Sequence, residues 1–166
     1  MKIRGVLVGL AGVLLSGGWL TVSAQADALP SQYQGTWYGY ISSEKIHHVR
    51  HYYFSQLTVK AKRISFDYQT TTNAHFKNRK WAWGASALAT YRSKKDQKNR
   101  PIYKIYLPIY EDDAVAKIRL GTVTGTGASR QALIVNAGYE NLYLFRQPVR
   151  SHPWGIGYED SLELYD

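Results

Sequence analysis

From Trp37 to Arg146 apolar side chains recur at almost every second position, and this one periodicity limits the fold more than anything else in the chain. Successive side chains point to opposite faces of a β-strand, whereas a helix repeats every 3.6 residues. The pattern therefore predicts half-buried strands and no long amphipathic helix. Tyr53, Ser55, Leu57 and Val59 share one strand face. After a basic turn at 60–63, Ile64, Phe66 and Tyr68 share a face of the next strand, which predicts a hairpin. Trp81 and Trp83 alternate around Ala82, residues 88–92 form another short strand, and Tyr103, Ile105 and Leu107 line one side of a strand over 102–110. A turn at Glu111, Asp112 and Asp113 precedes Ala116, Ile118 and Leu120, and two further strands follow over 132–136 and 141–146. With an opening strand at 34–40, eight to nine strands stand at a spacing that suits an up-and-down barrel or a sandwich. The expected fold is all-β, a single antiparallel up-and-down β-barrel of about 8 strands, with polar loops at 70–78 and 93–101 and any helix short and within 151–166.

Ahead of these strands stand Lys2 and Arg4, an apolar run over 5–20, and the small-x-small site Ala24-Gln25-Ala26. That order predicts a secretory signal peptide over residues 1–26, cleaved after Ala26. The short, glycine-rich run and the cleavage site argue against an uncleaved anchor. Of the 166 residues, removal of 26 leaves 140, one domain over 27–166 with a proper core. No later run is long enough to span a bilayer, so no integral membrane segment is expected after cleavage. The expected address is secreted or extracellular, free or held non-covalently at the cell surface. Zero cysteines exclude disulfides and thiolate metal sites, and a cysteine-free exported protein suits a Gram-positive bacterium. Loss of Lys2 and Arg4 takes the formal charge from +9 to +7, which favours anionic partners. No nucleic acid is expected among them; wall or host polyanions are.

The opening strand carries Gly35-Thr36-Trp37. Glycine lets the backbone turn sharply and approach a neighbour, and a large ring two positions on plugs one end of a barrel. A single tight helical turn over 30–34 would lead into it. Together with Arg146, which ends the last strand, this resembles the lipocalin-like, calycin-type pattern. That resemblance implies that Trp37 packs under the Arg146 guanidinium, a cation–π contact worth about 1 kcal/mol. The chain is also similar to small exported proteins of lactic acid bacteria whose mature part opens on Pro-x-x-x-x-Gly-Thr-Trp-Tyr, here 30–38; this second resemblance implies no activity.

Motifs for catalysis are weak. His47, His48 and His51 are close in sequence, but no carboxylate or fourth ligand adjoins them, so a solvated strand edge outweighs a metal site and no metal or other cofactor is expected. The glycine-rich run at 121–127 lacks the Lys-Ser/Thr ending of a phosphate loop and reads as a hairpin loop carrying Ser129 and Arg130. Glu111, Asp112 and Asp113 read as a solvated turn, and no nucleophile elbow is present, so a non-enzymatic protein is expected.

Basic residues are the stronger signal. Lys60, Lys62 and Arg63 form one group, Lys77, Arg79 and Lys80 a second, and Arg92, Lys94, Lys95, Lys98 and Arg100 a third, each near a loop. At one end of a barrel they would make a continuous positive rim, with Trp81, Trp83 and Tyr91 as adjoining stacking surfaces for single strands or sugars. Glu159, Asp160, Glu163 and Asp166 would then fold back on that rim. The leading expectation is a secreted binding protein that holds a small apolar or amphipathic ligand inside the barrel, lined by Trp81, Trp83, Tyr103 and Ile105. The alternatives are a cell-surface interaction protein whose basic loops bind wall or host polyanions, and an inhibitor or enzyme with its site on the loop at 121–130.

Overall fold

The computed structural model describes residues 27–110, 113–125, 128–138 and 141–150. The signal segment expected at 1–26, the helix expected within 151–166, the acidic residues Glu159, Asp160, Glu163 and Asp166, and Glu111 and Asp112 of the acidic turn lie outside these. A 3-10 turn over Ser31–Tyr33 leads into β1 (Gly35–Ile46), and β2 (Val49–Lys60), β3 (Arg63–Thr71) and β4 (Lys80–Leu88) follow. After β4 come β5 (Thr90–Lys95), β6 (Pro101–Tyr106), β7 (Ala116–Gly125), β8 (Ala128–Asn136) and β9 (Asn141–Leu144). Among the described residues no helix is long and apolar enough to cross a membrane.

The chain is all-β and antiparallel, as its alternation predicts, but the strands divide into two sheets where one closed barrel was expected. β1 to β4 form a four-stranded sheet and β5 to β9 a five-stranded one, each in sequence order. The division falls at Ala89, the only residue between β4 and β5. A hairpin needs at least two loop residues, so the chain cannot fold back there and passes from one sheet to the other. Its amide marks the corner by donating to the Lys62 carbonyl at 3.1 Å. The other pair of sheet edges meets at one isolated bridge. Tyr38 donates to the Phe145 carbonyl at 2.7 Å and Phe145 returns a bond at 2.9 Å.

Between the sheets lies one core, built by the inward member of each alternating pair. Trp37, Leu57, Val59, Ile64 and Phe66 from the first sheet meet Tyr91, Tyr103, Ile105, Ile118, Leu133, Val135 and Leu144 from the second. A smaller cluster of Ile102, Val123, Ala132, Ile134 and Phe145 packs outside the main core, with Tyr143 and Val149 against it.

Two bulges interrupt the alternation. The β1–β2 register shifts between Tyr40 and Ser42, and the β3–β4 register shifts so that Tyr68 faces Trp83 while Gln69 faces Trp81. An extra residue in one strand moves everything beyond it to the other face. Ala82 therefore places Trp81 and Trp83 on opposite sides of the sheet. At the tip of the first hairpin, His47 and His48 take left-handed φ values of 44° and 69°, as a two-residue turn between twisted strands requires.

Tyr91 is fully buried, and its hydroxyl donates to the Lys60 carbonyl at 2.9 Å. Burial pushes its pKa well above the ordinary 10.0. Burial also raises Tyr33, Tyr103 and Tyr143. The unfolded chain releases such a proton near pH 10 while the folded chain keeps it, so this stability is complete below that pH and is lost as pH rises. Urea melts should show stability falling above about pH 10, with Tyr91 contributing up to roughly 1.4 kcal/mol per pH unit. Tyr91→Phe should be flatter in that range; a wild-type midpoint unchanged up to about pH 11.5 would contradict the burial of these phenols.

Candidate functional site

Between β3 and β4 the polar stretch at 72–79 folds into an ordered loop. The Thr71 hydroxyl donates to the Lys77 carbonyl at 2.6 Å and accepts from the Asn73 amide at 3.1 Å. The Asn73 side chain accepts from the His75 amide at 2.8 Å. These bonds hold Phe76 and Asn78 at φ 59° and 53°, a region that side chains of this size rarely adopt. Burial of an aromatic ring offsets the strain. Phe76 is 5% exposed and sits edge-on to Phe54 at 4.8 Å and to Tyr52 at 5.3 Å.

Anchored in this way, the loop fixes Arg79. Its Nε donates to Gln69 Oε1 at 3.0 Å, one terminal nitrogen donates to the Phe76 carbonyl at 2.8 Å, and its carbon lies 4.6 Å from the Tyr38 ring centre. Facing the loop is the segment at 145–150, with the start of β8 beside it. Between them runs an open groove in two adjoining arms, the larger about 800 Å³. Its walls carry His75, Lys77, Arg79, Arg130, Arg146 and Arg150, and among the described residues no acidic side chain lines either arm. Phe76, Phe145 and Pro148 give it an apolar floor.

At one edge of the groove Arg146 joins the two sheets. Its guanidinium carbon lies 3.6 Å from the Trp37 ring centre, and its terminal nitrogens donate to the Gln34 and Gln32 carbonyls at 2.7 Å each. Gly35 makes room with φ 103°, and a Cβ there would stand 2.7 Å from the guanidinium. Burial lowers the Arg146 pKa from 12.5, and the group stays charged.

The four residues expected to line an interior ligand site do not share one surface. Tyr103 and Ile105 are 7% and 0% exposed inside the core, where Tyr33 packs edge-on to Tyr103 at 4.8 Å. Trp83 is half-buried on the inner face, stacked on Tyr68 at 5.9 Å. Trp81 stands on the outer face, 64% exposed. The basic groups do not gather into one rim either. Lys77 and Arg79 line the groove and Lys80 begins β4 beside it. Arg92, Lys94 and Lys95 lie on β5, the far edge of the five-stranded sheet, four strands or roughly 19 Å from β9. Arg92 lies over the Tyr106 ring at 4.4 Å, and Lys94 and Lys95 are exposed.

His75, Arg130 and Arg150 join the groove from segments far apart in sequence. Phe76, a lone large apolar residue in a polar loop, was the available signal that this loop is anchored. Among the described residues no three or more His, Asp or Glu side chains converge as metal ligands. No family model, no curated protein and no solved structure matches the chain.

Proposed function

We propose that this is an exported, non-enzymatic binding protein that grips an anionic wall or host polymer in the groove between the loop at 72–79 and the segment at 145–150. A wall of six basic side chains with no acid among the described residues carries this reading. Two of them, Arg79 and Arg146, are pre-positioned by hydrogen bonds and aromatic rings, so little side-chain freedom is lost on binding. The stack of Arg146 on Trp37 and the bridge from Tyr38 to Phe145 support reading the two sheets as an open, lipocalin-like barrel about their shared core. In this frame the barrel is filled by its own side chains, and recognition moves to the outside.

Dextran sulfate and polyphosphate are suitable probes. Binding at physiological salt should weaken strongly by about 0.5 M, because charge contacts screen over about 8 Å at 0.15 M and less at higher salt. Combined Lys77→Glu, Arg130→Glu and Arg150→Glu should weaken it by at least about tenfold, each exposed contact being worth up to about 1 kcal/mol. The same reversal at Arg92, Lys94 and Lys95 should change it much less. Equal loss from both sets would mean a diffuse charge effect and not a site.

A second reading keeps the ligand inside. Tyr53, Tyr68 and Trp83 are half-buried, with Tyr68 5.9 Å from each of the other two rings, and together they give the end of the interior away from Trp37 an aromatic surface for a small amphipathic molecule. Mass spectrometry of organic extracts of the natively purified domain separates the two. A recurrent apolar compound favours this second reading, and a bare protein favours the groove.

A further inference from the structure

On the outer face of the four-stranded sheet, side chains in register form two rows with a composition unlike the rest of the surface. Tyr38, Gln56, Asp67 and Gly84 make one row across all four strands. Thr36, Thr58, Ser65 and Ser86 make the next, hydroxyls throughout. Beside them Trp81 is 64% exposed, brought to this face by the bulge at Ala82. A large exposed indole beside these hydroxyl, amide and carboxylate groups is an apolar platform next to hydrogen-bonding partners.

These groups are held before any ligand arrives. The indole nitrogen of Trp81 donates to Asp67 Oδ1 at 3.1 Å, which fixes the ring. Asp67 Oδ2 accepts from Gln56 Nε2 at 3.3 Å, Gln56 Oε1 accepts from Gln69 Nε2 at 2.8 Å, and Gln69 Oε1 accepts from Arg79 Nε at 3.0 Å. The chain thus runs from an exposed ring to a guanidinium anchored over Tyr38. An ionised carboxylate has about four acceptor positions and an amide both donates and accepts, so this network keeps free hydrogen-bonding capacity toward solvent. Gly84 is required beneath it. A Cβ there would stand 2.1 Å from Asp67 Oδ1 and 2.8 Å from the Phe66 carbonyl.

We infer that this face is a binding surface for an uncharged, hydroxyl-rich glycan, whose ring stacks on Trp81 while its hydroxyls bond to Asp67, Gln56 and the neighbouring row. Sugar rings present an apolar C–H face and an equatorial belt of hydroxyls, and the sheet offers the complement of both. Charge selects the uncharged class. The Asp67 carboxylate, which accepts from the Trp81 indole, repels an anionic ligand at the platform, and Arg63 on the same face is engaged with the Ser86 hydroxyl at 3.2 Å. A protein partner is disfavoured, because stable interfaces have an apolar centre of several residues and here the exposed Trp81 and Leu88 stand at opposite ends of β4. The site adjoins the polyanion groove, with which it shares Gln69 and Arg79, but it does not depend on that reading.

The test is a titration of the mature domain with cellohexaose, chitohexaose and maltohexaose at about 0.5 M salt, where charge contacts are screened. Saturable binding to at least one hexasaccharide is expected, with a blue shift of tryptophan emission. Trp81→Ala should weaken it more than tenfold, Trp81→Phe and Asp67→Asn severalfold, and the combined Lys77→Glu, Arg130→Glu and Arg150→Glu variant should bind as wild type does. Trp81 is exposed, so its variants should melt within a few degrees of wild type. Absence of saturable binding to all three sugars, or binding that Trp81→Ala leaves intact, would overturn the inference, whereas loss in the charge-reversed variant alone would reassign the sugar to the groove and overturn it equally.

Discussion

Trp37→Ala should destabilise the domain by roughly 3–5 kcal/mol, the cost of emptying a fully buried large aromatic site. Small domains have a total stability of about 5–15 kcal/mol, so this variant should be close to unfolding. The expected loss lies at the upper end because three separate structures meet on this ring. Trp37 is 2% exposed in the core, its indole nitrogen donates to the Tyr33 carbonyl at 2.9 Å, and its face carries the Arg146 guanidinium. Through Arg146 the ring also holds the carbonyls of Gln32 and Gln34, so removal of the indole loosens the 3-10 turn and the end of β9 together. Arg146→Ala should cost less, about 1–3 kcal/mol, because the stack and two hydrogen bonds go but the core stays filled. Arg146→Lys should recover little of that loss, since an ammonium cannot lie flat on the ring and reach both carbonyls in a fixed fork. Urea unfolding of the three variants gives the ranking; a Trp37→Ala loss below about 1 kcal/mol would contradict the packing described.

Gly39→Val should be the second severe substitution. Gly39 pairs with Ser55 and faces Leu144 across the joint where β1 meets β9. A Cβ at this position would stand 2.5 Å from Leu144 Cδ2 and 2.7 Å from Ser55 Oγ, and Leu144 is itself 3% exposed in the core. Overpacking of this kind costs about 1–3 kcal/mol or more, since no neighbour can withdraw into solvent. Leu144→Ala alone leaves a cavity and costs about 2–5 kcal/mol. The combined variant should lose less than the sum by about 1 kcal/mol or more, because each change relieves the defect of the other. Strict additivity in denaturant melts would place Gly39 and Leu144 apart and break the joint between the sheets.

Antiparallel strands in sequence order were legible because alternation reports burial directly: Tyr53 to Val59, Ile64 to Tyr68 and Tyr103 to Ile105 sit on strands of the structure, although β6 ends at Tyr106, short of the 102–110 expected. The two-sheet division was not, because it depends on one residue, Ala89, and a strand that changes sheets has the same pattern as a strand that does not. Bulges defeat the same reasoning from within. Trp81 and Trp83 have perfect period-two spacing, and only the partner register on β3 shows that Ala82 is an extra residue. The groove was half legible. Lys77 and Arg79 belong to a visible basic group, but Arg130 and Arg150 reach the same place through tertiary structure, which spacing along the chain cannot report.

A nitrogen-15 correlation titration of the mature domain with short dextran sulfate tests most directly whether recognition sits in the outer groove. Amide shifts should concentrate on 74–79, 130–131 and 145–150, saturate together, and leave the core amides of Leu57, Ile105 and Leu133 unmoved. Shifts centred on β5 around Arg92 to Lys95, or on the half-buried Tyr53, Tyr68 and Trp83, would contradict that placement and move the binding site to the far sheet edge or to the interior.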